Sequence, residues 1–201
     1  MKRIGILGGT FNPIHLGHLM MAEMAREKLK LDKVIFVPSC LPPHKSEVGV
    51  LPAQDRYKMV RLATQGNSAF SVSDFEIKKG GKSYSIETVT HFKNHFAKGT
   101  KFYFIIGQDS LATLHLWKRI DDLLKIVSFV VMNRPDASRH SSKNSKNRDT
   151  YLLKRYVSLF SMPGVDISSS YIRQAFATGK SVKYLLPEKV IRYIEKRQLY
   201  R

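Results

Sequence analysis

Gly8-Gly9-Thr10-Phe11-Asn12-Pro13-Ile14-His15-Leu16-Gly17-His18 is the stretch from which the fold and the chemistry of this chain can be read outward. The apolar run Ile4–Leu7 precedes it and reads as a strand. Leu19, Ala22, Ala25 and Leu29 recur at helical spacing after it, which predicts a helix from about Leu16 to Leu29. In open α/β sheets, a turn that leaves a strand and opens a helix is where ligands bind. Gly8 and Gly9 bring no side chain, so backbone N–H groups can approach an anion there, and the helix N-terminus adds a favourable dipole. His15 and His18 are three apart and share a face in a first helical turn. Two imidazoles so placed can donate to phosphate oxygens and, when protonated, stabilise developing charge. A zinc reading of the pair finds no third and fourth ligand at metal-like spacing.

Further along, short β-branched runs alternate with helix-like stretches. Val34–Val37 is a second strand, and the prolines between Pro38 and Pro52 mark a loop. Ala53–Ala63 reads as helix, Phe70–Ile77 as a half-exposed strand, and Ile86–Phe96 as a helix with Ile86, Val89 and Phe92 on one face. Phe102–Ile106 and Ile126–Met132 are apolar enough to be buried central strands, with a helical stretch, Ser110–Leu124, between them. Pro135–Thr150 has no apolar periodicity and reads as a surface loop. A short helix, a strand near Val157–Met162, a helix from about Ser169 and a last helix after Pro187 follow. The alternation predicts an α/β fold with a doubly wound, mostly parallel, Rossmann-like sheet. Residues 1–201 are expected to form one domain, in which about 160–201 make a small C-terminal helical part over the sheet's carboxyl edge.

Bulk properties narrow the function classes. The 201 residues are 43% hydrophobic and 10% aromatic, an ordinary globular balance. The apolar runs are too short to cross a bilayer, and the N-terminus lacks a signal peptide's apolar stretch and cleavage site. Cys40 is the only cysteine, so no internal disulfide can form and a reducing cytoplasm is expected. Lys and Arg number 34 against 16 acidic residues, a formal +18. Much of the excess lies in Arg139–Arg155 and Lys189–Arg201, and it reads first as solvated surface, second as attraction for anionic substrates. Gly81-Lys82-Ser83 and Gly179-Lys180-Ser181 imitate the end of a P-loop, but Glu76 and Gln174 stand where its first glycine belongs.

His15-Leu16-Gly17-His18 with Gly8–Pro13 resembles the HxGH signature of the nucleotidyltransferase superfamily, and Ile167-Ser168-Ser169-Ser170-Tyr171-Ile172-Arg173 resembles its C-terminal ISxTxIR signature. Within it, the chain is most similar, over nearly its whole length, to the bacterial nicotinate-nucleotide adenylyltransferases. The resemblance implies ATP contacts at Gly8, Gly9, Thr10, Phe11 and, in Pro42-Pro43-His44-Lys45, at His44 and Lys45. It implies that Asp109, in Gly107-Gln108-Asp109, holds the ATP ribose. Ser83–Thr88 resembles an SYTxDT segment that contacts the mononucleotide, here through Ser85 and Thr88, with Ser85 replacing Thr and Glu87 replacing Asp. Trp117 falls where the family stacks the pyridine ring, and Arg134 where it binds the mononucleotide phosphate. Read without the resemblance, Trp117 is a core ring, Asp109 a helix cap, and Ser168–Ser170 a cap as well.

The implied reaction is attack by a mononucleotide phosphate oxygen on the α-phosphorus of ATP, giving deamido-NAD and pyrophosphate. His15 and His18 would contact phosphate at the reacting centre, while Lys45, Ser168, Ser170 and Arg173 would hold the triphosphate. Mg2+ would accompany ATP, bridging phosphate oxygens largely through water, with no protein carboxylate cluster. Preference between nicotinate and nicotinamide mononucleotide is left open by the motifs, and a homodimer is compatible with them. Two alternatives stand: another HxGH adenylyltransferase, of the pantetheine-phosphate type, and a basic nucleic-acid-binding α/β protein without catalysis. Trp117 and Ser83–Thr88 argue against the first, and the absence of an RNA-recognition signature against the second.

Overall fold

The computed structural model describes residues 1–42, 48–111, 113–133 and 157–201. His44, Lys45, Arg134, the loop expected over Pro135–Thr150, the whole basic stretch Arg139–Arg155 and the short helix expected after Thr150 lie outside the described residues. Six strands are described: β1 (Arg3–Gly9), β2 (Lys33–Pro38), β3 (Phe70–Val72), β4 (Lys101–Gly107), β5 (Ser128–Asn133) and β6 (Val157–Ser161). They lie in the order β3-β2-β1-β4-β5-β6. β1 runs parallel to β4 from Arg3 opposite Lys101 to Ile6 opposite Phe104, β4 to β5 with Ile105 opposite Val130, and β5 to β6 with Val131 opposite Leu159. This is the doubly wound sheet that β-α-β alternation predicts. Its order reverses after β1, and in such sheets ligands bind outside the carboxyl strand ends at the reversal. The carboxyl end of β1 is Gly8–Gly9, the start of the stretch read first above.

The helices are α1 (Leu16–Leu29), α2 (Ala53–Thr64), α3 (Phe75–Lys79), α4 (Ser85–His95), α5 (Gln108–Leu111), α6 (Ile120–Ile126), α7 (Ser169–Ala177) and α8 (Glu188–Lys196), with one 3-10 turn at Leu114–Leu116. The chain divides into two compact units. The first comprises Met1–Gly8, Met21–Val34 and Tyr84–Gly164. β4 and β5 are its centre, and Ile105, Phe129, Val130 and Val131 are fully buried, as expected of apolar runs covered on both faces. Gly5 of β1 sits where a Cβ would meet Leu31 at 2.8 Å and Ile105 at 2.9 Å, so only glycine fits without moving core atoms. β6 is the outermost strand, and its Leu159 is exposed. The second unit comprises Gly9–Met20, Ile35–Ser83 and Val165–Arg201, with Phe36, Met59, Val60, Ile172, Val190 and Ile194 at its centre.

Two expected elements take another form. Phe70–Ile77 is strand only to Val72, because the Phe75 N–H bonds to Ser73 Oγ at 3.2 Å and the Lys78 N–H to the Asp74 carbonyl at 2.8 Å, which starts α3. The helix expected over Ser110–Leu124 is broken. Trp117 is extended and Arg119 is left-handed at φ 55°, and the Arg119 carbonyl then receives the Asp122 and Leu123 N–H groups that begin α6. Ile126 consequently ends a helix, and the strand starts at Ser128.

Candidate active site

Within the second unit, the turn after β1 is held by groups that reach it from far along the sequence. Arg56 of α2 is 1% exposed, and its guanidinium donates to three carbonyls: Thr10 at 2.7 Å, Cys40 at 2.8 Å and Leu51 at 2.9 Å. Burial pulls its pKa below the usual arginine value, yet arginine stays charged at any physiological pH. Phe11, buried at φ 48°, adopts a left-handed backbone that L residues take only where their surroundings enforce it. Its ring fills the space beside Gly9, where a Cβ would stand 3.0 Å from it, and a Cβ on Gly8 would meet the Phe104 ring at 3.3 Å within 4 Å reach. At both positions a side chain would press on an aromatic ring, which favours glycine in addition to any anion the turn serves.

His15 and His18 form one unit of structure. The His15 carbonyl accepts the His18 N–H at 3.0 Å and the Leu19 N–H at 3.4 Å, so His15 occupies the cap position of α1. The His15 N–H donates to His18 Nδ1 at 3.3 Å, a side chain in the first turn reaching back to the capping residue. A nitrogen that accepts carries no proton, so the neutral His18 imidazole carries its proton on Nε2. The two rings stack at 3.7 Å, and the Phe11 ring meets His18 edge-on at 5.1 Å. His15 is buried at 4% exposure while His18 is half-buried. Of the pair, His18 is the one that solvent, and hence a ligand, can reach.

The Ser168–Arg173 segment arrives at this turn. Ser169 Oγ donates to the Pro13 carbonyl at 2.9 Å, and Arg173 Nη1 donates to the Asn12 carbonyl at 2.9 Å. The three serines divide the work. Ser168 Oγ caps α7 by accepting the Tyr171 N–H at 3.2 Å, and Ser170 Oγ accepts Arg173 Nη2 at 3.2 Å. Ser169's single hydroxyl proton is committed to Pro13, so its geometry makes it a tie between segments. Capping leaves the first amides of α7, those of Ser169 and Ser170, outside intrahelical bonding, the usual anion-facing arrangement at a helix N-terminus. Arg173, half-buried, lies at the start of the next turn, where its guanidinium reaches back to Ser170.

Within the first unit, Ser85 begins α4 and is half-buried, whereas Thr88 is 1% exposed. Lys118 joins this segment to its neighbour Trp117: its Nζ lies 4.0 Å from the Tyr84 ring centroid and 3.3 Å from Glu87 Oε1. Trp117 is half-buried, edge-on to Phe104 at 5.6 Å and to Phe129 at 6.0 Å. Gly107 closes β4, and Asp109 is exposed in the first turn of α5, inside the helix and not at its cap. Sequence reasoning missed Arg56, Asn12, Lys118 and Tyr200 as organisers of these segments. In a chain with 34 basic residues, nothing local distinguishes Arg56 from a surface arginine.

Among the described residues no group of three or more His, Cys, Asp and Glu could hold a metal, and no helix is long and apolar enough to cross a membrane. The cytidylyltransferase-like family model matches residues 6–175. The chain is 44% identical over 199 residues, 99% of its length and 94% of the relative's, to a probable nicotinate-nucleotide adenylyltransferase of Thermoanaerobacter sp. (strain X514). It is 41% identical over the full length of both chains to a protein of the same description from Clostridium tetani (strain Massachusetts / E88). The fold matches that of the Plasmodium falciparum nicotinic acid mononucleotide adenylyltransferase complexed with NaAD, with a TM-score of 0.78 at 21% identity, covering 100% of this chain and 98% of the other.

Proposed function

The chain belongs to the cytidylyltransferase-like family, and from that premise we infer that it is an adenylyltransferase joining ATP and nicotinate mononucleotide to give deamido-NAD and pyrophosphate. The observation that carries the chemistry is the tie of Ser169 and Arg173 to the Pro13 and Asn12 carbonyls, which puts α7 beside the stacked histidines. A guanidinium, a helix N-terminus and an Nε2–H donor in one unit suit a polyphosphate.

A phosphate oxygen of the mononucleotide forms the new bond to the α-phosphorus as the bond to the β-bridging oxygen breaks and pyrophosphate leaves. The attacking phosphate is already anionic near neutral pH, so the protein need supply no general base. Its contribution is alignment and charge stabilisation. His18 donates from Nε2 to a phosphoryl oxygen, and the buried His15 fixes its ring by stacking and by the cap bond. Arg173 and the α7 amides hold the triphosphate, and His44 and Lys45 contact its phosphates as well. Asp109 meets the ATP ribose, Trp117 stacks on the pyridine ring, and Ser85 and Arg134 meet the mononucleotide, whereas Thr88, 1% exposed, is buried too deeply to touch it. ATP would enter as its magnesium complex, the ion offsetting part of the triphosphate charge. The single, unbridged Cys40 suits a reducing cytoplasm as the site of the reaction.

Steady-state kinetics with ATP and each of the two mononucleotides tests the assignment by dinucleotide formation and pyrophosphate release. The nicotinate form is expected to be the better acceptor. His18→Ala is expected to lower kcat by about a hundredfold or more with an unchanged circular dichroism spectrum. Turnover of 4′-phosphopantetheine in place of either mononucleotide would overturn the substrate assignment, and near-normal turnover by His18→Ala would remove the role given to that ring.

A further inference from the structure

Tyr200 is a half-buried phenol that adenylyl transfer, as described so far, does not use. Its hydroxyl donates to Asn12 Oδ1 at 2.8 Å, and its ring lies 6.2 Å from that of Phe176 on α7, within 30° of parallel. Burial pushes its pKa far up, against the opposing pull of the Arg173 and Arg56 guanidiniums, so the hydroxyl keeps its proton at any working pH.

Asn12 is the junction that this hydroxyl completes. The residue is 5% exposed. Its Nδ2 donates to the Gly49 carbonyl at 2.9 Å, and its Oδ1 accepts the Leu51 N–H at 3.2 Å together with the Tyr200 hydroxyl. Two donors saturate the two lone pairs of an amide oxygen, which fixes the carboxamide's orientation. The main-chain carbonyl of the same residue is the one to which Arg173 Nη1 donates. Tyr200 thus touches α7 through Phe176 and, through Asn12, the anchor of the cation three residues earlier on that helix.

We propose that Tyr200 is a positioning residue for adenylyl transfer: through Asn12 it fixes the carbonyl that orients Arg173. This rests on the reading of Arg173 as a triphosphate contact. Tyr200→Phe keeps the ring and its packing on Phe176 and removes only the hydroxyl. It is expected to lower kcat about tenfold, the scale of a small misplacement of a catalytic group, while KM for the mononucleotide stays within about twofold. Arg173→Lys cannot make the same paired donation and is expected to lower kcat further. In that background Tyr200→Phe should lower kcat by no more than about twofold, because the group it orients is gone. A purely structural role would instead give losses that multiply, matched by a fall in melting temperature. Multiplying losses, wild-type kcat in Tyr200→Phe, or wild-type kcat in Arg173→Lys would each overturn the proposal. Failure of the functional reading is separate, since it would appear as a wild-type protein that forms no deamido-NAD.

Discussion

Gly17 shows why the residue between two histidines has no side chain. A Cβ there would stand 3.1 Å from His15 Nδ1 and 3.2 Å from His15 Cε1, closer than ordinary contact. Alanine is otherwise the better helix former, by up to about 1 kcal/mol. Gly17→Ala is therefore expected to leave the melting temperature unchanged or slightly raised, yet to lower kcat by about tenfold or more as the His15 ring shifts and carries the stacked His18 with it. Parallel calorimetry and kinetics check this, and a variant with wild-type kcat would show that the stack is not needed. The sequence displays this glycine as part of a motif, but the ring approach that demands it depends on rotamers no spacing reveals. Arg56 is the opposite case. It has no motif, and only the arrival of Thr10, Cys40 and Leu51 carbonyls around one guanidinium gives it a role. Ser168 was legible as a cap from its place before an amphipathic run, because capping is a local event.

At the scale of elements, the packing of α8 on α2 depends on a protonated phenol. Tyr193 OH donates to Asp55 Oδ1 at 2.7 Å, and Arg197 lies 3.7 Å from the same oxygen. Burial first, and the Asp55 carboxylate second, raise the Tyr193 pKa above 10.0; burial does the same to Tyr200. A raised folded-state pKa means that the unfolded chain loses its proton first as pH rises. The stability these tyrosines contribute is then fully present below about pH 10 and declines above it. Thermal melts between pH 8 and about 11.5 are expected to be flat and then to fall, and Tyr193→Phe to reduce the fall while lowering stability near neutral pH by about 1 kcal/mol. An alkaline decline of equal size in the variant would rule out this origin. Element boundaries were legible where the signal is local and long, as in α1 and α4. They were not legible over Ser110–Leu124, where apolar spacing persists through a left-handed Arg119 that no composition rule marks.

For the molecule as a whole, the dominant quantity is its charge. A formal +18 attracts ATP and a phosphorylated acceptor before any contact forms, and it repels itself. Raising salt from about 50 mM to about 500 mM shortens the Debye length from roughly 14 Å to 4 Å. Over that range kcat/KM for ATP is expected to fall about threefold or more while the melting temperature rises. A salt-independent kcat/KM would assign the charge to solubility alone. Class and parallel character were legible from β-α-β alternation, but the order β3-β2-β1-β4-β5-β6 was not, since strand neighbours are chosen by packing between distant segments. The same distance has a consequence for biosynthesis. The bonds from Ser169, Arg173 and Tyr200 to Pro13 and Asn12 span 156, 161 and 188 residues. Translation delivers the three fasteners only many seconds after the glycine turn that they hold. A nascent chain still short of Tyr200 lacks a fitting that shapes its own glycine turn, so that turn is completed long after its motif has been made.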